Sequence, residues 1–390
     1  MDIRTRAVHV VNEPFGEGSW PLSVPIVQSS AFGFGSAGAL ADAMGGPDGQ
    51  YVYTRRGNPT VRALERTVAG LESGAAAIAF ASGMGALSGM LLSLLKPGDH
   101  VLAQRCLYGG TYSVLSDLAR RFGVEVEYLP GGDAADVEAL MRPKTRLLLL
   151  ETIANPTGQV PDLPVLTAAA RRCGVLSLVD NSLASPVLCR PIEHGADIVV
   201  HSTTKYLAGH SDVLGGVAVF ADGGLHRRVW GRTVELGATA DPFAAWLTLR
   251  GLATLPLRMR QHCSNAEVIA ERLARHPAVR AVHWPWLPGN PSYATARTVL
   301  SGGGGMVTCE LTGGRAAGRG FIERVRLARL ALSLGGVETL ISHPASTSHR
   351  ELDSQALAAA GVGEGTVRIS VGIEHAEDLW ADIEQALDAS

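Results

Sequence analysis

The feature that most constrains the fold is a series of short apolar segments separated by stretches with helical periodicity. Segments such as 146–150 and 175–179 have strand length and are apolar on both faces, so both faces must be covered. Their alternation with helices predicts an α/β fold with a mostly parallel, doubly wound sheet. Ligands of such a sheet bind beyond the carboxyl ends of its strands. The predicted strands are residues 75–81, 101–103, 124–128, 146–150, 175–179 and 198–200.

The length of 390 residues exceeds what one ordinary core holds, and the composition changes along the chain. Residues 1–60 lack periodicity and are rich in glycine and proline, which favours an N-terminal arm that contacts a neighbouring subunit. We expect a large domain over residues 61–245. A linking helix and a smaller α+β C-terminal domain should cover residues 246–390.

Composition also limits the partners. The formal net charge is −3 without long runs of like charge, so neither nucleic acid nor an acidic membrane is favoured. No apolar run reaches membrane-spanning length. The five cysteines lack metal-ligand spacing and are typical of reduced thiols in a cytoplasmic protein. We therefore expect a cytoplasmic protein that binds a small molecule and no metal.

Lys205 stands just past the apolar run 198–200, in an unusual place for a charge. A buried ammonium is costly unless it is paired or neutralised, for example as a Schiff base with a carbonyl compound. Ser202 and Thr204 flank it with hydroxyl groups suited to a phosphate. Together they suggest pyridoxal 5′-phosphate (PLP), although a solvated loop lysine is the alternative.

Two upstream strand ends support this hypothesis. Asp180 follows the strand 175–179, where a carboxylate could keep a pyridine nitrogen protonated. Its alternative is a helix-capping aspartate. Gly83 and Met84 follow the strand 75–81 and open a helix, an arrangement that offers backbone N–H groups to a phosphate. A glycine needed only for packing is the alternative.

Other candidates lie on loops and on a C-terminal strand. Tyr53 and Arg55 would point the same way on an extended segment and could bind an anion, or they belong to a solvated basic loop. Tyr108 opens a helix after a strand and could stack on a flat ring or serve in packing. Arg368 lies among β-branched residues of a strand and suits either a substrate carboxylate or a surface ion pair.

These residues lie in motifs that resemble the PLP-dependent enzymes of cystathionine and methionine metabolism. That family includes cystathionine γ-synthase, cystathionine γ-lyase, methionine γ-lyase and the homoserine-ester sulfhydrylases. The motifs are Tyr-Thr-Arg-Arg-Gly-Asn-Pro-Thr at 53–60, Ser-Gly-Met-Gly at 82–85, Leu-Tyr-Gly-Gly-Thr at 107–111, Val-Asp-Asn-Ser at 179–182, His-Ser-Thr-Thr-Lys-Tyr-Leu-Ala-Gly-His at 201–210, Ser-Leu-Gly-Gly at 333–336 and Val-Arg-Ile-Ser-Val-Gly-Ile-Glu at 367–374. The resemblance implies the PLP-dependent transferase fold (fold type I).

The resemblance also implies roles. The catalytic residues would be Lys205, Tyr108 and Tyr53, with Lys205 also carrying the cofactor. The other cofactor-binding residues would be Asp180 at the ring nitrogen, Tyr108 on the ring, and Gly83, Met84, Ser202, Thr204, Tyr53 and Arg55 at the phosphate. The substrate-binding residues would be Asn155, Ser333, Arg368 and Leu332. Because Tyr53 and Arg55 would come from a neighbouring subunit, the resemblance implies a homotetramer built from dimers with shared active sites.

Which substrate the enzyme accepts depends on the residues that would contact the end of the substrate's side chain. Relatives that act on cystathionine tend to have acidic residues at the positions of Val52 and Leu332, so the pocket here favours a short thioether or ester. Methionine γ-lyases, however, usually have cysteine where this chain has Gly110, and Ile153 and Leu183 also depart from the family pattern.

We expect a carbon–sulfur γ-lyase on a methionine-like or cystathionine-like amino acid, which gives a 2-oxo acid, ammonia and a thiol. The alternative is γ-replacement on O-acetyl- or O-succinylhomoserine. A non-catalytic PLP-binding relative is a third hypothesis.

Overall fold

The computed structural model describes residues 1–10, 20–47, 49–347 and 362–389, and these form two β-sheets. The larger sheet contains β1 (Ala76–Phe80), β2 (His100–Ala103), β3 (Glu125–Tyr128), β4 (Thr145–Glu151), β5 (Leu176–Asp180), β6 (Ile198–Ser202) and β7 (Gly216–Phe220). Their order across the sheet is β1-β7-β6-β5-β4-β2-β3. Strand β7 is antiparallel to both neighbours and all other pairs are parallel. The predicted mostly parallel α/β sheet is therefore confirmed.

Helices cover both faces of this sheet. In β4, Leu147 and Leu149 pack into the core on one face and Leu148 and Leu150 into the core on the other, which explains the unbroken apolar run. The helices up to the second sheet are α1 (Ile3–Val8), α2 (Ala37–Ala43), α3 (Pro59–Leu71), α4 (Gly83–Leu94), α5 (Gly109–Phe122), α6 (Ala134–Leu140), α7 (Leu163–Arg172), α8 (Ser185–Leu188), α9 (Gly223–Leu236), α10 (Pro242–Leu252) and α11 (Leu255–Leu273). Within the described ranges, no helix has the length and apolarity that a membrane span needs.

The second sheet has its own core. It contains β8 (Val279–His283), β9 (Met306–Leu311), β10 (Arg329–Leu330), β11 (Leu340–Ser342) and β12 (Thr366–Ser370), in the order β10-β11-β12-β9-β8. Helices α12 (Tyr293–Val299), α13 (Gly314–Arg324) and α14 (Ala376–Asp388) accompany it. The predicted α+β character of this region is confirmed. The boundary expected at 245/246 falls inside α10, and the division into domains stays a prediction.

Among the first sixty residues, the described ranges 1–10, 20–47 and 49–60 contain regular structure that their composition did not indicate. Helix α1 begins after Asp2, whose side chain accepts a hydrogen bond from the N–H of Arg4, and it buries Ala7 against the large domain. Ala31 and Tyr53 form an isolated antiparallel bridge. Trp20 and Leu22 are largely exposed, and the contact of this segment with a neighbouring subunit stays a prediction.

A buried arginine fastens helix α11 to the turn that carries Lys205. Arg258 is 4% exposed and donates to the carbonyl oxygens of Tyr206 at 2.7 Å and Gly251 at 2.8 Å. A Cβ at Gly209, whose φ is +72°, would lie 2.0 Å from the Arg258 Nη1 atom, so only glycine fits there. The guanidinium thus fixes the chain just after Lys205.

Replacing Arg258 should therefore destabilise the protein. We expect Arg258→Met to lower the free energy of unfolding by roughly 3 kcal/mol, because buried carbonyl groups lose a charged donor. Urea unfolding of the apoprotein would measure this. The matched control is Arg260→Met, an exposed position on the same helix. Equal effects of the two substitutions would contradict the role of Arg258.

Candidate active site

A cavity of about 330 Å³ lies at the carboxyl edge of the large sheet, where a doubly wound fold places its ligands. Most of the predicted site residues line it. They are Gly83, Met84, Tyr108, Asn155, Asp180, Ser202, Thr204, Lys205, Leu332, Ser333 and Arg368. Ser82, Leu87, Glu151, Ile153, Ser182, Leu183, Leu214 and Leu334 complete the wall. The structure thus brings residues from both sheets around one space.

The start of helix α4 forms one wall. Ser82 caps the helix, and its Oγ accepts a hydrogen bond from the N–H of Gly85 at 2.9 Å. The first N–H groups of a helix have no partner within it and attract anions, so those of Gly83 and Met84 are available. A Cβ at Gly83 would lie 2.6 Å from the Cβ of Ser202, so a side chain there would close the space. This cradle suits a phosphate.

Lys205, Ser333 and Arg368 form a connected cluster. The Lys205 Nζ atom donates to the Ser333 Oγ at 2.8 Å, and the Arg368 Nη2 atom donates to the Ser333 carbonyl oxygen at 3.0 Å. Ser333 has a φ of 94°, which residues other than glycine rarely adopt and which is common at functional sites. Burial, reinforced by the Arg368 charge, lowers the pKa of Lys205.

The carboxylate of Asp180 ends β5 and faces the same cavity. Its Oδ1 accepts a hydrogen bond from the N–H of Ser182 at 2.9 Å. Removal from solvent raises the pKa of Asp180, which the Ser182 contacts and the His201 imidazole oppose. A cation against this carboxylate, such as a protonated ring nitrogen, would offset the cost of its burial.

Tyr108 lies at the mouth of the cavity and is 48% exposed. Its ring lies against Gly110 in the first turn of helix α5. A Cβ at Gly110 would lie 2.4 Å from the Tyr108 Cε1 atom and 3.0 Å from the Met84 sulfur. In this structure the ring occupies the space that a cysteine at position 110 would need.

Tyr53 and Arg55 do not line the cavity. The expectation of an extended segment is also wrong, because the N–H groups of Arg56 and Gly57 donate to the Tyr53 carbonyl oxygen and close a turn. The two side chains are nevertheless neighbours, since the Arg55 guanidinium lies 5.7 Å from the Tyr53 ring centroid. Arg55 also donates to the Val234 carbonyl oxygen at 3.1 Å.

Among the described residues that line the cavity, Glu151 is the ionisable one that sequence reasoning missed. It ends β4 beside Asp180 of β5, and its Oε1 accepts a hydrogen bond from the N–H of Tyr108 at 2.5 Å. The signal that could have found it is the one that indicated Asp180, a carboxylate at the end of an apolar strand. Ile153 and Leu183, which depart from the family's sequence pattern, also line the cavity.

The residues present fit PLP. The glycine cradle at Gly83 suits its phosphate, Asp180 suits its ring nitrogen, and the lowered pKa of Lys205 suits bond formation with its aldehyde.

Comparisons with known proteins agree with this fit. The family model described as "Cys/Met metabolism PLP-dependent enzyme" matches residues 4–388. The chain is 42% identical to L-methionine gamma-lyase of Porphyromonas gingivalis, over 99% of this chain and 96% of that protein. It is also 42% identical to cystathionine gamma-synthase of Mycobacterium tuberculosis, over 98% and 96%. A crystal structure of cystathionine gamma synthase from Xanthomonas oryzae pv. oryzae in complex with cystathionine has a TM-score of 0.92 at 40% identity, covering 100% of this chain and 98% of that one.

Fold and site together define a PLP-dependent enzyme of fold type I. The chain belongs to the family of PLP-dependent enzymes of cysteine and methionine metabolism, and PLP is its cofactor. The roles of single residues at the site stay predictions.

The lowered pKa of Lys205 has a measurable consequence. In the apoenzyme, Lys205 should react with an amine-specific acylating reagent at lower pH than a lysine in a short peptide. Arg368→Met should move that pH profile upward, because a nearby positive charge that disfavours the ammonium form is removed. Mass spectrometry of the Lys205 peptide would follow the reaction.

The control is Arg329→Met, which removes an exposed charge on β10. A Lys205 profile equal to that of the peptide, or one unchanged by Arg368→Met, would contradict the assignment.

Proposed function

We propose that this enzyme is a carbon–sulfur γ-lyase that acts on methionine or a similar amino acid with a short, uncharged tail. The products would be a 2-oxo acid, ammonia and a thiol. The observation that carries the proposal is the apolar wall of the cavity. Within the part of the chain that the structure describes, six aliphatic residues line it, namely Leu87, Ile153, Leu183, Leu214, Leu332 and Leu334.

The charged residues of the wall support the same substrate class. Among the described residues that line the cavity, they are Glu151, Asp180, Lys205 and Arg368. Glu151 is held by a backbone N–H, Asp180 suits the ring nitrogen, and Arg368 suits the substrate's α-carboxylate. Of these four groups only Glu151 has no predicted contact with cofactor or substrate, and its Oε1 already accepts the Tyr108 N–H. A distal ammonium or carboxylate would therefore be poorly paired, and burying such a group is costly.

The residues around the substrate have distinct tasks in this proposal. Bound PLP would make the protons on the substrate's α- and β-carbons labile. Lys205, whose lowered pKa favours the neutral amine, would take the α-proton. Arg368, positioned by the Ser333 carbonyl, and Asn155 would hold the carboxylate. Tyr108 would donate a proton to the leaving sulfur.

A specific observation favours γ-replacement as the second candidate. Gly110 stands where methionine γ-lyases usually have cysteine, and the Tyr108 ring fills the space beside it. An O-acetylhomoserine tail is also uncharged and would suit the same wall. The names of the relatives do not discriminate, because lyase and synthase are equally similar to this chain.

A substrate panel separates the candidates. The purified holoenzyme would be incubated with methionine, cystathionine, O-acetylhomoserine and O-succinylhomoserine, each with and without a thiol. Formation of 2-oxobutanoate from methionine alone supports the γ-lyase. Activity confined to an ester plus a thiol would overturn it in favour of replacement, and a PLP-loaded protein without any turnover would indicate a non-catalytic relative.

Leu332 should help to select the substrate by the end of its side chain. We expect Leu332→Glu to shift the ratio of kcat/KM for cystathionine over methionine upward by about tenfold, because a carboxylate can pair with the distal ammonium. The control is Leu330→Glu, which lies two residues away on β10, is 55% exposed and does not line the cavity. An unchanged ratio in Leu332→Glu would show that this position does not contact the tail.

We also infer that Tyr53 and Arg55 complete the phosphate site of a second copy of the chain. Both are exposed on the N-terminal segment, lie next to each other, and do not line the cavity of their own chain. An arginine and a phenol are suited to a phosphate. A homotetramer of such dimers stays a prediction.

Arg55→Ala should weaken PLP binding on the order of tenfold, because the phosphate loses a charge-assisted hydrogen bond. Fluorescence titration of the apoenzyme would measure the affinity. The control is Arg56→Ala, since the Arg56 side chain donates to the Met44 carbonyl oxygen of its own chain.

Mixing two inactive variants tests whether two subunits share one active site. Arg55→Ala and Lys205→Ala subunits, refolded together, should regain activity, because a mixed dimer has one cavity with both residues intact. If mixing restores nothing and Arg55→Ala binds PLP normally, the shared site is wrong.

A further inference from the structure

Glu151 is a buried carboxyl group to which the proposed reaction assigns no role. It is 4% exposed and lies at the end of β4, in register with Asp180 at the end of β5. Register partners on parallel strands point to the same face of the sheet, so both carboxyl groups belong to one wall of the cavity. Burying two neighbouring carboxyl groups is costly unless each is hydrogen-bonded, paired with a cation or protonated.

The contacts of Glu151 show what it holds. Its Oε1 accepts the backbone N–H of Tyr108 at 2.5 Å, across 43 positions of sequence. Its Oε2 is buried and has no hydrogen-bond partner among the described residues. Burial, reinforced by Asp180, raises the pKa of Glu151 well above its usual range, and the backbone N–H groups of Tyr108 and Asn155 oppose that rise.

The Tyr108 N–H needs this acceptor. Tyr108 occupies the capping position of helix α5 in a non-helical conformation, with φ −53° and ψ 136°, and its side chain caps nothing. The direction of the ring therefore depends on where the backbone of Tyr108 is held. Below the ring, Gly110 provides the space, since a Cβ there would lie 2.4 Å from the Cε1 atom.

We propose that Glu151 is a positioning residue that holds the backbone of Tyr108 and thereby sets the Tyr108 ring over the cofactor ring. The proposal rests on the predicted stacking role of Tyr108 and does not depend on which reaction follows. An oxygen acceptor is sufficient for this task, so an uncharged amide at position 151 should perform it as well. An apolar side chain of similar size should not.

The test uses the holoenzyme without substrate, so it stays separate from the substrate panel. We expect Glu151→Leu to reduce the visible circular dichroism band of bound PLP and to weaken PLP binding roughly fivefold through lost stacking. Glu151→Gln should keep both within about twofold of the wild type, because it retains the acceptor oxygen. Rescue by the amide would not follow if residue 151 acted only through its charge.

A double-mutant cycle shows whether the effect passes through Tyr108. Tyr108→Leu should reproduce the loss seen in Glu151→Leu, and the double variant should be no weaker than Tyr108→Leu alone. Additive losses in the double variant, an unchanged band in Glu151→Leu, or a lost band in Glu151→Gln would each overturn the proposal. If Glu151→Leu does not fold, Glu151→Gln decides, because it must retain the band.

Discussion

Strands β5 and β6 run in parallel with Asp180 beside Val200, and this pairing fixes where the candidate active site lies. Because both strands are apolar on both faces, their register cannot slip without exposing one core and crowding the other. Asp180 therefore ends one strand next to the segment Ser202–Lys205 that ends the other. Sheet pairing thus brings to one cavity the carboxylate that we predict for the ring nitrogen and the amine that we predict for the aldehyde.

Hydrogen bonds from the surrounding structure hold this arrangement in place. Arg258 holds the carbonyl groups just after Lys205, and Ser333 links the Lys205 amine to the Arg368 guanidinium. Ser333 comes from the segment next to the second sheet, and Arg368 from β12 within it. The cavity thus lies where the two sheets meet, and its charged groups belong to both. The C-terminal region therefore contributes Leu332, Ser333, Leu334 and Arg368 to the candidate substrate site.

The sequence predicts those site residues that lie next to a recognisable strand or helix, and it does not predict contacts between distant parts of the chain. Lys205 and Asp180 each follow an apolar strand directly, so strand periodicity places them at one edge. Gly83 is similarly marked by the strand before it and the helix after it. Glu151 meets the same condition, but its partner is a backbone N–H far along the chain, which no local pattern reports. The turn at Tyr53 was missed because its hydrogen bonds form between backbone groups that any residues could supply.

The lysine linkage is the most direct test of the central claim, because the lysines of this chain are Lys96, Lys144 and Lys205. Reducing the holoenzyme with borohydride and mapping its peptides by mass spectrometry would locate the fixed cofactor. We expect the phosphopyridoxyl group on Lys205 alone. Its presence on Lys96 or Lys144 with Lys205 unmodified would contradict the placement of the cofactor between Lys205 and Asp180.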